Sequence, residues 1–142
     1  MVTKKAMLVL LVILIAVPVI YAQSQGNIMF VSYQVEDKIV PETGEYPDMP
    51  HIYALEDEGY NVTIFYNESL STAEEATLDT LYSADLIIMG RSTPSTGYGD
   101  HKQAWNEITT PILNLELWNC RSTRLNWFNT ENMISITEEG TI

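Results

Sequence analysis

Residues 85–90 read Asp85-Leu86-Ile87-Ile88-Met89-Gly90: four apolar side chains in succession between an acid and a glycine. A strand with one face in water alternates polar and apolar residues. A short apolar run without alternation suits a strand covered on both faces, the situation inside a parallel sheet. Three other segments share this form. Residues 27–33 (NIMFVSY) and 61–66 (NVTIFY) lie upstream, and residues 112–117 (ILNLEL) follow directly after Pro111.

Helical spacing fills the gaps. Pro47 and Asp48 open a segment in which Met49, Ile52 and Leu55 recur on one face, with Gly59 suited to the residue just past its end. Thr72-Ala73-Glu74-Glu75 has the form of a capping box, followed by Leu78, Leu81 and Tyr82. Asp100 can cap a third helix carrying Ala104, Trp105 and Ile108, stopped before Pro111. Helices are predicted over residues 50–58, 73–83 and 101–109. The order β-α-β-α-β-α-β, joined by right-handed crossovers, predicts an α/β flavodoxin-like three-layer sandwich with a parallel sheet ordered 2-1-3-4. Residues 133–137 (MISIT) are a candidate fifth strand. Ligands in such sheets bind beyond the carboxyl ends of the strands where the order reverses, here between the first and third strands. The loops at that place are residues 34–46 and 91–99, flanked by 118–124.

The first 22 residues stand apart from this pattern. Lys4 and Lys5 lead into an unbroken apolar run from Ala6 to Val17, Pro18 interrupts it, and Ala22 offers a small residue before Gln23. That order is a secretory signal's, and cleavage is expected to leave a single domain over residues 23–142. The rival reading is an uncleaved N-terminal membrane anchor, although the run falls short of the ~18–20 apolar residues of a span. No Cys near Ala22 suggests lipid attachment. Export sets the expected location as periplasmic or extracellular, with membrane contact only in transit.

The chain has 142 residues, 46% hydrophobic and 18% charged, enough for one domain. Without Lys4 and Lys5, five basic residues face 19 acidic ones, a net charge of −14. Such a chain lacks the basic face that nucleic acid requires. Solubility is the simplest account of the acidity. Cys120 is the single cysteine, so no internal disulfide can form and the core must hold the fold.

The familiar chemistries lack their motifs. A dinucleotide or flavin phosphate needs a glycine-rich turn after the first strand, where this chain has Gln34-Val35-Glu36-Asp37. No P-loop, G-x-S-x-G elbow or H-E-x-x-H occurs, and no cofactor or metal is expected. Glu36, Asp37, Glu42, Glu45 and Asp48 form an acidic stretch without calcium-loop spacing and read as a solvated surface loop. The loop Arg91-Ser92-Thr93-Pro94-Ser95-Thr96-Gly97-Tyr98-Gly99 combines hydroxyls, glycines and one guanidinium, groups that suit a carboxylate, a phosphate or sugar hydroxyls. Arg121 and Arg124 give the only other local positive density of the domain. Arg91, Ser92, Thr93, Ser95, Arg121 and Arg124 are therefore the candidate ligand-binding residues. Three arginines at one mouth need neutralising, and Glu36 and Asp37 are the internal candidates. Trp127 and Phe128 read as core packing, and His51 and His101 as surface residues. Asn61-Val62-Thr63 and Asn67-Glu68-Ser69 have the form of glycosylation sequons.

Residues 84–91 (ADLIIMGR), Trp105, Pro111-Ile112-Leu113 and the stretch 121–128 give the chain a resemblance to the class I glutamine amidotransferase-like superfamily, nearest its exported, trehalose-utilisation-like and uncharacterised bacterial members. The resemblance spans roughly residues 27–137 and is stronger in topology than in motif. It implies that Gly90 and the residues after it match a loop that helps form an oxyanion hole. Active members place the nucleophile in G-x-C-x-G; Cys120 instead lies in Trp118-Asn119-Cys120-Arg121-Ser122, and no His follows His101. The chain then reads either as the leading portion of a longer protein with further domains, or as a reduced, non-catalytic version. Two functions follow as expectations. The first is an exported binding or accessory module for a small polar, anionic or carbohydrate ligand. The second is a hydrolase or amidotransferase-like enzyme using Cys120, with Arg121 and Arg124 lowering the thiol pKa.

Overall fold

Strand β1 (Asn27–Val31) pairs in parallel with β2 (Asn61–Phe65) on one side and with β3 (Leu86–Met89) on the other, and β3 pairs in parallel with β4 (Ile112–Asn114). The sheet order is thus β2-β1-β3-β4, an α/β sandwich with the expected topology. This computed structural model describes residues 24–66 and 75–132. The leader, the second sequon, most of the capping box and the candidate fifth strand lie outside the described residues.

Helix α1 (Met49–Asp57) joins β1 to β2, with Pro50 in its first turn, where a missing N–H costs nothing. It ends as expected at Gly59, whose φ of +91° is left-handed. The Gly59 N–H donates to Glu56 O at 2.9 Å and the Tyr60 N–H to Leu55 O at 3.1 Å, which closes a Schellman motif. Helix α2 (Glu75–Ser83) joins β2 to β3. The third crossover differs from expectation. In place of one helix over residues 101–109 there are two short ones, α3 (Ser95–Asp100) and α4 (Lys102–Glu107). Residues 95–99 read as a loop because Gly97 and Gly99 are poor helix formers. Burial overrides that propensity: Tyr98 and Trp105 are both 0% exposed, with ring centroids 5.4 Å apart. The fourth strand is also shorter than read, since residues 117–120 turn into a 3-10 helix.

The direction of travel in the sheet reverses after β2, so crossovers of one hand fall on opposite faces. Leu78 and Leu81 of α2, Tyr98 of α3 and Trp105 of α4 pack with Met29, Val31, Ile87 and Met89 on one face. On the other face, α1 brings Met49, Ile52 and Leu55 against Ile28, Phe30 and Ile88. Alternate residues of β1 and β3 serve opposite cores, the reason their sequence shows no polar alternation.

Candidate functional site

At the carboxyl ends of β1 and β3, the side chain of Asp48 is 1% exposed. This corrects its reading as part of a solvated acidic loop. Asp48 occupies the N-cap position of α1 yet makes no side-chain cap. Its carboxylate turns to the sheet instead. Oδ2 accepts the Ser32 hydroxyl at 2.9 Å and the Ser92 hydroxyl, and Oδ1 accepts the Arg91 backbone N–H at 3.2 Å. Ser92 Oγ in turn accepts the Tyr33 N–H at 3.1 Å. A buried carboxylate is tolerable only with such donors. The cluster ties the end of β1, the start of α1 and the loop after β3 into one unit. A glycine at position 90 makes it possible: a Cβ there would stand 2.5 Å from Asp48 Oδ2 and 2.8 Å from Phe30 Cε1.

Two of the candidate hydroxyls are therefore engaged internally. Ser92 serves Asp48, and Thr93, 4% exposed, donates to Gly90 O at 2.9 Å. The backbone N–H groups that an oxyanion hole would present are occupied as well. Gly90 N–H donates to Val31 O at 2.8 Å and Arg91 N–H to Asp48.

The segment after β4 is organised by Asn114. Its Nδ2 donates to Glu116 O at 2.8 Å and to Cys120 Sγ at 3.0 Å, and its Oδ1 accepts the Asn119 amide at 3.2 Å. Cys120 is 4% exposed. It lies in the 3-10 turn rather than on a strand-to-helix elbow. Beyond it the chain folds back, with Phe128 N–H donating to Cys120 O at 2.8 Å and Ser122 N–H to Thr130 O at 2.9 Å. Leu125 takes the core position, 0% exposed, and Asn126 reverses the chain at φ 61°. Trp127 and Phe128 consequently stand 38% and 48% exposed, not in the core as their apolar character suggested.

The loops after β3 and β4 meet. Arg121 Nη2 donates to Ser95 Oγ at 3.1 Å, its Nε donates to Trp118 O at 3.0 Å, and its guanidinium carbon lies 4.6 Å from the Trp118 ring centroid. Such a stack is worth ~0.5–1 kcal/mol at an exposed site. Arg124 packs against Gly99, where an added Cβ would come within 2.9 Å of Thr123 O and 3.5 Å of Arg124 Nη1. Arg91 is exposed and lines an open groove of about 500 Å³ with His51, Leu115, Glu116, Leu117 and Trp118. Thus Arg91 shares a groove with Trp118, on whose ring Arg121 stacks, while Arg124 belongs to the loop packing. Among the described residues, no ion pair joins these arginines to Glu36 or Asp37; Asp37 sits 3.6 Å from Lys38. His51 lines this groove as well, a placement its position at a helix start did not announce.

Asn61 is exposed at the start of β2, its Nδ2 donating to Asn27 Oδ1 at 3.0 Å. Among the described residues, no group of three or more His, Cys, Asp or Glu could hold a metal ion, and no helix is long and apolar enough to cross a membrane. No family model, curated protein or solved structure matches the chain.

Proposed function

We propose that this chain is an exported, non-catalytic binding or accessory module that takes a small polar, anionic or carbohydrate ligand at the carboxyl edge of its sheet. The observation that carries the reading is the groove around Trp118. It joins Trp118, 44% exposed, with the exposed Arg91, the imidazole of His51 and Glu116. An indole face accepts the C–H side of a sugar ring, and planar polar groups suit its hydroxyls or a carboxylate. The groove stands on anchored supports: the Asp48 cluster holds the Arg91 backbone and Asn114 holds the turn before Cys120. A scaffold of the class I glutamine amidotransferase-like kind is part of this reading, resting on the sequence resemblance of residues 84–91, Trp105 and Pro111-Ile112-Leu113. The charged apolar leader supports export.

Binding is tested by titrating the full chain with maltose, glucuronate and acetate while following tryptophan fluorescence and heat. The expected result is saturable binding of at least one probe, lost in Arg91→Ala and in Trp118→Ala. No saturable response to any probe, or binding undisturbed in both variants, overturns the reading.

A further inference from the structure

Arg91 brings a guanidinium to the groove around Trp118, a group with donors and no acceptor. Among the described residues, no ion pair joins it to Glu116, which lines the same groove, or to any other carboxylate. Glu116 has a partner of its own. Its Oε1 accepts the Trp118 N–H at 3.0 Å and so caps the 3-10 turn after β4. Its other oxygen can accept from an occupant. The indole of Trp118 supplies a ring surface, and Leu115 and Leu117 extend it with apolar wall. At about 500 Å³ the groove falls within the ~300–1,000 Å³ of ordinary small-ligand sites.

The local charge runs against that of the molecule. The chain carries a net charge of −12. Yet Arg91 and His51 line the groove and Arg121 stacks on its indole, against the single carboxylate of Glu116. An anion is drawn to this place and repelled by the acidic surface elsewhere. A guanidinium takes a carboxylate side-on through two parallel hydrogen bonds. The bond from the Arg91 backbone N–H to Asp48 fixes the root of that side chain. An ammonium group would instead be set among cations, so a zwitterion fits less well than an anion that carries neutral donors.

We propose that the ligand of this groove is a sugar acid of the hexuronate class. Its carboxylate pairs with Arg91, one face of its ring lies on Trp118, and a ring hydroxyl donates to Glu116. This rests on the small-ligand reading above and narrows it to one chemical class. A uronate meets all three demands of the lining together. A neutral sugar leaves Arg91 without an anionic acceptor, and a simple carboxylate leaves the indole and Glu116 unused.

The test titrates the full chain with glucuronate, glucuronamide, cyclohexanecarboxylate and phenylalanine by calorimetry. Glucuronamide keeps the sugar ring without the charge, and cyclohexanecarboxylate keeps a ring and the charge without hydroxyls. Saturable glucuronate binding, roughly tenfold or more tighter than either, is the expected result, the order of one charge-assisted hydrogen bond. Arg91→Gln should bring glucuronate down to the level of glucuronamide. Lys38→Gln, which removes an equal charge from the exposed loop after β1, should leave the preference unchanged. The probe series is read on the unaltered protein, so no variant has to fold for the proposal to fail. If glucuronamide or cyclohexanecarboxylate binds as tightly as glucuronate, the uronate assignment is overturned while the small-ligand reading stands. Tighter binding of phenylalanine, which would assign the groove to a zwitterion, overturns it in the same way. So do equal losses in Arg91→Gln and Lys38→Gln, which would mean general charge attraction. No response to any of these probes, nor to maltose or acetate, overturns both.

Discussion

Asp48 Oδ1 accepts the backbone N–H of Arg91 at 3.2 Å, a bond between residues 43 apart in sequence. It fixes the start of α1 to the loop after β3 at the place where the sheet order reverses. The carboxylate's other oxygen holds Ser32 and Ser92, so the cluster closes around one buried side chain.

Asp48→Ala is expected to destabilise the protein more than Ser32→Ala. The former leaves three donors without their acceptor, the latter removes one of three. Each buried group left unsatisfied costs ~1–3 kcal/mol. Urea unfolding of the two variants checks the order; equal effects would mean that Asp48 is not the hub.

Gly90→Ala is expected to cost ~1–3 kcal/mol, the usual range for overpacking. The added methyl would meet the Asp48 carboxylate at 2.5 Å and the Phe30 ring at 2.8 Å, neither of which can swing away freely. A melting temperature equal to the parent's would show that the cluster yields.

Cys120 is expected to react slowly with an aromatic disulfide reagent in the native protein and rapidly in guanidinium. It is 4% exposed and its Sγ accepts the Asn114 amide. Fast native reaction that accelerates well below the free-cysteine pKa would favour the enzymatic alternative instead.

Arg121→Ala is expected to leave the fold intact but alter the emission of Trp118, since the guanidinium stands 4.6 Å from its ring centroid. Stability should fall by ~0.5–1 kcal/mol. An unchanged spectrum would place the stack outside the solution structure.

Material secreted by an expressing cell is expected to begin at Gln23. N-terminal sequencing that finds Met1 retained would support the anchor reading.

The sheet was legible because its apolar runs are short, unalternating and separated by helical spacing. Residues 85–90 alone select a buried parallel strand. The Schellman ending at Gly59 was legible for the same reason, as a backbone need that one residue type meets. Less could be read around the edge. Asp48 looks the same in sequence whether it caps a helix or anchors a loop, and only the meeting of β1 with β3 decides. Tyr98 sits among helix-poor glycines, and its packing on Trp105 depends on contacts that no local pattern displays. Arg121 and Arg124 stand three apart in sequence, yet the turn set by Asn114 sends one to Trp118 and Ser95 and the other to Gly99.

Helix α1 is fastened at both ends. Asp48 ties its first turn to β1 and to the loop after β3, and beyond its last turn Gln25 donates to Glu58 O at 2.9 Å and to Gly59 O at 3.0 Å. Its open flank is therefore a fixed wall rather than a loose one. His51, in the first turn of this helix, lines the Arg91 groove, so a ligand held there need not immobilise the helix first, and less of the contact energy is consumed in ordering the receptor. Preorganisation of this kind lets a modest apolar surface give a measurable affinity.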